Sequence, residues 1–255
     1  MDIKNINFYY FTGTGNTLLV VREMKKFFDK QGIQTKLFAI EKEDPKNVTL
    51  DAMIGLAFPV AVFTTYPVVM KFIKGLPQAN GTKIFMVDTM GGMSLGIRSY
   101  LSALLKKKGY DTVAAKQICM PDNFWPSPEK DVKNPPIINK AVNRTQKYAY
   151  DILMGKGKWC SCVPIFPSIC YAISQFMFAK KSFRTAVKFV QSRCVKCGLC
   201  SKLCPVGNIT MSGYPTLNGR CELCMRCISF CPKGALYRRK EGEHVYKAVS
   251  AEELL

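Results

Sequence analysis

Histidine is almost missing from this chain. Of 255 residues only His244 offers an imidazole, which excludes histidine-rich metal centres. Acidic residues are scarce too, 18 against 37 lysines and arginines, for a formal charge of +19. The excess runs along the whole sequence and accompanies no nucleic-acid recognition motif, so a nucleic-acid partner is not expected. It reads either as solvated surface lysines or as a docking surface for an acidic partner. The start, Met1-Asp2-Ile3-Lys4-Asn5, lacks a basic n-region, a long apolar core and a small-residue cleavage site, so a cytoplasmic location is expected. In that compartment the 12 cysteines are read as ligands before disulfides. Charge is absent altogether from residues 159–179, a length that could span a bilayer. That stretch nonetheless holds Pro164, Pro167, three serines and Gln175. A buried helical linker between domains is expected, with a membrane-associated segment as the alternative that Lys180-Lys181 would favour.

The first half alternates strand-like and helix-like runs. Residues 6–11 are apolar and aromatic, and over 17–28 Leu18, Val21, Met24 and Phe28 recur near helical spacing. Strands are expected at 35–40, 52–58, 83–88 and 113–120, with helices at 67–73 and 95–108. A proline- and aspartate-rich loop is expected over 121–136, then a helix over 137–154. Five strands with intervening helices predict an α/β fold with a doubly wound parallel sheet, which binds ligands at the carboxyl ends of its strands.

From Arg193 the character changes. Cys194-x-x-Cys197-x-x-Cys200-x-x-x-Cys204-Pro205 is followed by Cys221-x-x-Cys224-x-x-Cys227-x-x-x-Cys231-Pro232, the same spacing twice. Zinc ribbons pair two cysteines per knuckle and have no third at equal spacing, so zinc is disfavoured. Three thiolates at three-residue steps can wrap one corner of a cubane, while the fourth, after a longer gap, points to another cluster. The expected ligands are Cys194, Cys197, Cys200 and Cys231 for one [4Fe–4S] cluster, and Cys204, Cys221, Cys224 and Cys227 for the second. The runs resemble bacterial two-cluster ferredoxins over about residues 189–237, a resemblance that implies one-electron transfer at low potential. Lys196, Lys202, Arg220 and Arg226 lie among the ligands and are expected to raise the potentials. Of the other cysteines, Cys119, Cys160, Cys162 and Cys170 are read as small buried hydrophobes, with a third metal site at the last three as the alternative.

Residues 8–11 lead into Thr12-Gly13-Thr14-Gly15-Asn16-Thr17 and then a helix, an anion cradle of hydroxyls, glycines and free N–H groups. No Gly-Lys-Ser/Thr follows, and Leu18 occupies the place of a third glycine, so neither a P-loop nor a dinucleotide fingerprint is complete. The segment resembles the FMN phosphate loop of flavodoxins, a resemblance covering about residues 1–155. It implies that Thr12, Gly13, Thr14, Gly15, Asn16 and Thr17 hold the phosphate. The loops with Pro59, Val60 and Ala61, and with Thr89, Met90, Gly91 and Gly92, would hold the flavin ring. No obvious aromatic pair is present to sandwich that ring; Phe63, Tyr66 and Trp125 are the candidates. Flavodoxins are also usually acidic, and this domain is basic.

The order of parts resembles a family of flavodoxin–ferredoxin fusion proteins of anaerobes. The domains expected are a flavodoxin-like FMN domain over 1–157, an apolar helical linker over 158–190, a small α+β two-[4Fe–4S] ferredoxin-like domain over 191–240, and a tail over 241–255. The resemblance implies an electron-transfer flavo-iron-sulfur protein serving an external redox partner, expected to be acidic. The alternative is an FMN-dependent reductase of a small quinone-like acceptor fed by its own clusters. No pattern of nucleophile or paired carboxylates is visible, so the chemistry belongs to the cofactors.

Overall fold

The structure, a computed structural model, describes residues 3–92, 94, 96–159 and 165–255. Cys160 and Cys162 lie outside the described residues. Strand β1 (Asn5–Tyr10) splits its side chains between two core layers: Ile6 and Phe8 pack on one side, Tyr9 on the other. Such two-sided burial is what a parallel sheet with helices on both faces requires. Helix α1 (Asn16–Lys30) covers the first face with Val20, Val21, Met24 and Phe28. Strands β2 (Gln34–Ala39) and β3 (Met53–Pro59) follow, then helix α2 (Pro67–Gly75) on the second face. Strand β4 (Lys83–Met90), helix α3 (Ile97–Lys107) and strand β5 (Asp111–Cys119) complete the sheet.

The order is β2-β1-β3-β4-β5, all parallel. This is the flavodoxin-like arrangement, whose switch point lies between β1 and β3. The loops after those two strands therefore open side by side at the carboxyl edge.

Two expectations need correction here. The stretch 121–136 is not all loop: Pro128–Asp131 forms a short helix, α4, with Ser127 as its cap, and α5 (Asn134–Leu153) begins before Pro135-Pro136. Prolines in a first helical turn lose no hydrogen bond, since those N–H groups have no intrahelical acceptor. Cys119, read as buried, is exposed; it ends the edge strand β5, where alternate side chains face outward.

Helix α6 (Ile165–Ala179) forms the later part of the charge-free stretch, and α7 (Lys181–Arg184) follows it toward the second unit. No helix among the described residues is long and apolar enough to cross a membrane. The second unit is small. Strand β6 (Lys188–Phe189), helix α8 (Leu199–Lys202), the hairpin β7 (Ile209–Ser212) and β8 (Tyr214–Leu217), helix α9 (Arg226–Ser229) and strand β9 (Leu236–Tyr237) follow in turn. Strands β6 and β9 pair antiparallel and close the unit end to end, giving a small α+β, ferredoxin-like domain.

Candidate functional site

The two cysteine runs are copies of each other at the level of single backbone torsions. Two residues after the first cysteine of each run, Lys196 and Leu223 take φ of 58° and 56°; two further on, Gly198 and Met225 take 71° and 69°. These left-handed turns aim N–H groups at sulfur. Lys196 N–H donates to Cys194 Sγ at 3.4 Å, and Leu223 N–H to Cys221 Sγ at 3.3 Å. The last cysteines repeat the device: Asn208 N–H donates to Cys204 Sγ at 3.1 Å and Ala235 N–H to Cys231 Sγ at 3.2 Å. Such donors stabilise thiolates and lower the charge a bound metal centre must offset.

The eight thiols sort into two cavities. One is lined by Cys194, Cys197, Cys200 and Cys231, the other by Cys204, Cys221, Cys224 and Cys227. Each cavity thus takes three cysteines from one run and the fourth from the other. Among the described residues no three His, Cys, Asp or Glu side chains converge as a single ion requires. Four cysteines line each cavity, the ligand number of one [4Fe–4S] cluster. Burial pushes the Cys221 thiol up to about 11. Its thiolate form therefore calls for a cationic core beside it. The donor set fits an iron–sulfur cluster.

The two cavities differ in their surroundings. Cys197, Lys196 and Val195 are exposed beside the first. The second backs onto the N-terminal domain, where Arg226, only 3% exposed, reaches across. Its Nη2 pairs with Glu41 Oε1 at 2.6 Å, its Nε donates to Thr12 O at 2.9 Å, and its guanidinium lies 5.0 Å from the Phe11 ring centre. Arg226 is thus spent on Glu41, a pairing that offsets the charge expected to act on a nearby cluster.

That contact falls on the Thr12–Thr17 loop. A Cβ added to Gly13 would lie 2.5 Å from Cys224 O, so only glycine lets the second unit approach this closely. Gly15, at φ 106°, is the N-cap of α1 and supplies no side chain. The loop sets its own shape: Gly15 N–H donates to Thr12 Oγ1 at 3.1 Å, and the Thr17 hydroxyl meets that of Thr89 at 2.8 Å. Asn123 Nδ2 donates to Thr14 Oγ1, and Asn16 is held by Pro121 O and by the Tyr246 hydroxyl. Residues 241–255, expected as a tail, close over this loop. Ala248 N–H donates to Thr14 O at 2.7 Å, Val249 packs on Gly15, and Leu254 joins Leu18 in a small apolar cluster.

The first turn of α1 is therefore buried and has no side-chain cap. Buried first-turn N–H groups call for an acceptor, and an anion is the natural one. These residues fit a phosphate. Beyond them, Pro59, Val60 and Ala61 are half-buried, whereas Gly91 and Gly92 are exposed, with open space where a Gly92 side chain would stand. Of the three aromatic candidates, Tyr66 is core, packed on Phe11 and Phe178. Phe63 and Trp125 are exposed, and Val62 and Phe63 both adopt positive φ at the tip of the loop after β3. Trp125 is held between Arg238 and Arg239.

A separate open cleft of about 1110 Å³ lies between the domains, bordered by Glu43, Lys71, Gln175, Arg220, Cys221 and Glu222 among others. None of the ring-loop residues lines it.

Comparison with known proteins gives one family match and several similar structures. Residues 187–210 match the 4Fe-4S binding domain family, covering the first cysteine run. No curated protein matches the chain. Among solved structures, a short-chain flavodoxin associated with a non-canonical PDU bacterial microcompartment shares 14% identity. It covers 61% of this chain and 100% of its own, with a TM-score of 0.47. Bacillus cereus flavodoxin 2 shares 15%, over 59% of this chain and 98% of its own, at a TM-score of 0.46. Two-electron reduced Megasphaera elsdenii flavodoxin shares 21%, over 55% and 98%, at 0.42. The fold assignment itself rests on the strand order above.

Proposed function

We propose that this chain is an electron-transfer protein that holds FMN on its N-terminal domain and two [4Fe–4S] clusters on its C-terminal one, passing electrons between them and an external redox partner. One observation carries the reading: the wall of the second cysteine cavity is also the lid of the phosphate loop, through Cys224 O on Gly13 and Arg226 on Thr12. A flavin exchanges electrons in pairs or singly and each cluster exchanges one, so the three together match two-electron to one-electron traffic. This chain's residues do the positioning. Thr12–Thr17 bind the phosphate, Pro59–Ala61 and Thr89–Gly92 flank the ring, and the Arg226–Glu41 pair fixes the inner cysteine set beside them. The outer set faces solvent at Cys197 and Lys196, where an acidic redox partner would dock. The division of the cysteines between two cavities supports crossed ligation.

Anaerobically purified protein should contain about eight irons and matching sulfide per chain, with one flavin and no zinc. Replacing Cys231 with Ala should remove the spectroscopic signal of the outer, solvent-facing cluster and spare the inner one. Loss of the inner signal alone would overturn the crossed assignment, and zinc in place of iron would overturn the reading as a whole.

A further inference from the structure

Helix α6 buries one face and leaves the opposite one bare. Its inner face is satisfied by the N-terminal domain. Pro167 and Cys170 pack at Gly96, the Ser174 hydroxyl meets that of Thr64 at 2.7 Å, and Phe178 lies against Tyr66. On the other face Phe166, Ile169, Ile173 and Phe176 follow one another at spacings of three and four residues, between 43% and 63% exposed. That is one continuous apolar stripe with no hydrogen-bonding group of its own, and stripes of this kind mark contact surfaces.

The charge around the stripe says what it contacts. From residue 152 to residue 221 the chain carries no acidic side chain. Lys156, Lys158, Lys180, Lys181, Arg184 and Lys188 in the same stretch are all exposed. Lys180 extends over the Phe176 ring at 4.6 Å, and Lys74 reaches the other flank, donating to the Tyr171 hydroxyl at 2.6 Å. Acids enter only on the cleft side, where Glu41, Glu43, Asp44 and Glu222 share the cleft lining with Gln175, Phe178 and Ala179 and with Lys46, Lys71 and Arg184. A helix with an exposed Phe/Ile face, exposed lysines following its C-terminal end and too few residues to span a bilayer can lie in a headgroup plane with that face down.

We infer that α6 seats the protein on an anionic lipid surface, lying in the headgroup plane without crossing. The four side chains are each about half exposed, so each has roughly half its transfer free energy left to gain, a factor of about 5 in partitioning. Lys180 and Lys181 add a comparable, salt-sensitive factor apiece.

The test is co-sedimentation of the full, anaerobically purified chain with vesicles of phosphatidylcholine containing phosphatidylglycerol, and with pure phosphatidylcholine. Binding to the anionic vesicles should weaken with salt, and I169S/F176S and K180S/K181S should each lower it about 30-fold. Both pairs are at the surface, so iron content and hydrodynamic size should match the parent. Equal binding to both vesicle types, no binding to either, or a concentration-dependent dimer abolished by I169S/F176S would each overturn the inference. The last outcome would make the stripe an interface between copies of this chain.

Discussion

Replacing Arg226 with Met would test what holds the two domains together. The guanidinium is buried, pairs with a Glu41 whose side chain is only 7% exposed, and satisfies the carbonyls of Thr12 and Leu203. Removing one partner of a buried pair strands the other charge, which costs about 3–5 kcal/mol. Removing both, as in E41L/R226M, leaves two carbonyls short of a donor and should cost only about 1–2 kcal/mol. The double variant should therefore be more stable than R226M alone, an inversion that surface pairs do not produce. The assay is urea unfolding under anaerobic conditions, with iron counted first so that variants with intact clusters are compared, because Arg226 adjoins Cys227. If R226M cost less than about 1 kcal/mol, or if the double variant were no more stable than R226M, the Arg226–Glu41 pair would not hold the domains together.

Two further changes probe the phosphate-loop edge. Asp88 is fully buried near the end of β4, and burial pushes its carboxyl up to about 6 against the opposing pull of Arg98. The folded state then binds the proton more tightly than the unfolded chain, so stability falls as pH rises from about 4 to about 6. D88N should accordingly stabilise the protein by about 3 kcal/mol at pH 7 and by about half that at pH 5; a gain that does not shrink toward pH 5 in thermal unfolding would refute the burial argument. G13A places a methyl group against Cys224 O and should cost about 1–3 kcal/mol with loosened domain docking, read as faster limited proteolysis between residues 180 and 193; unchanged proteolysis would show that the close approach is not needed.

Much of the fold is legible in the sequence because it rests on local patterns. The apolar runs of β1 and β3, the helical spacing of Leu18, Val21, Met24 and Phe28, and the doubled cysteine spacing each declare themselves within a dozen residues. What was hidden depends on pairing across long separations. Nothing near Arg226 points to Glu41, and nothing near Tyr246 points to Asn16, yet these contacts help bury the Thr12–Thr17 loop. The exposed stripe of α6 was hidden for another reason. A charge-free segment reads the same whether one face or all of it is covered, and only the packing of Ser174 and Phe178 shows which face is left over.

The doubled cysteine loop also explains how one backbone serves two surroundings. The torsions at the paired positions agree within a few degrees, but the side chains there do not: Lys196 against Leu223, Gly198 against Met225. In the outer loop the left-handed position at 198 is filled by glycine, which adopts it without penalty, and the position at 196 carries an exposed lysine. In the inner loop Leu223 and Met225 accept the same torsions at a cost of about 1–2 kcal/mol each, and both are 4% exposed and part of the second unit's own apolar core. Strain accepted in the inner copy is offset by burial in that core. The inner loop meets the N-terminal domain through Cys224 O at Gly13 and the outer loop faces solvent at Lys196 and Cys197, so the two cysteine sets are alike in backbone and ordered in space: Thr12–Thr17 loop, inner set, outer set, exterior.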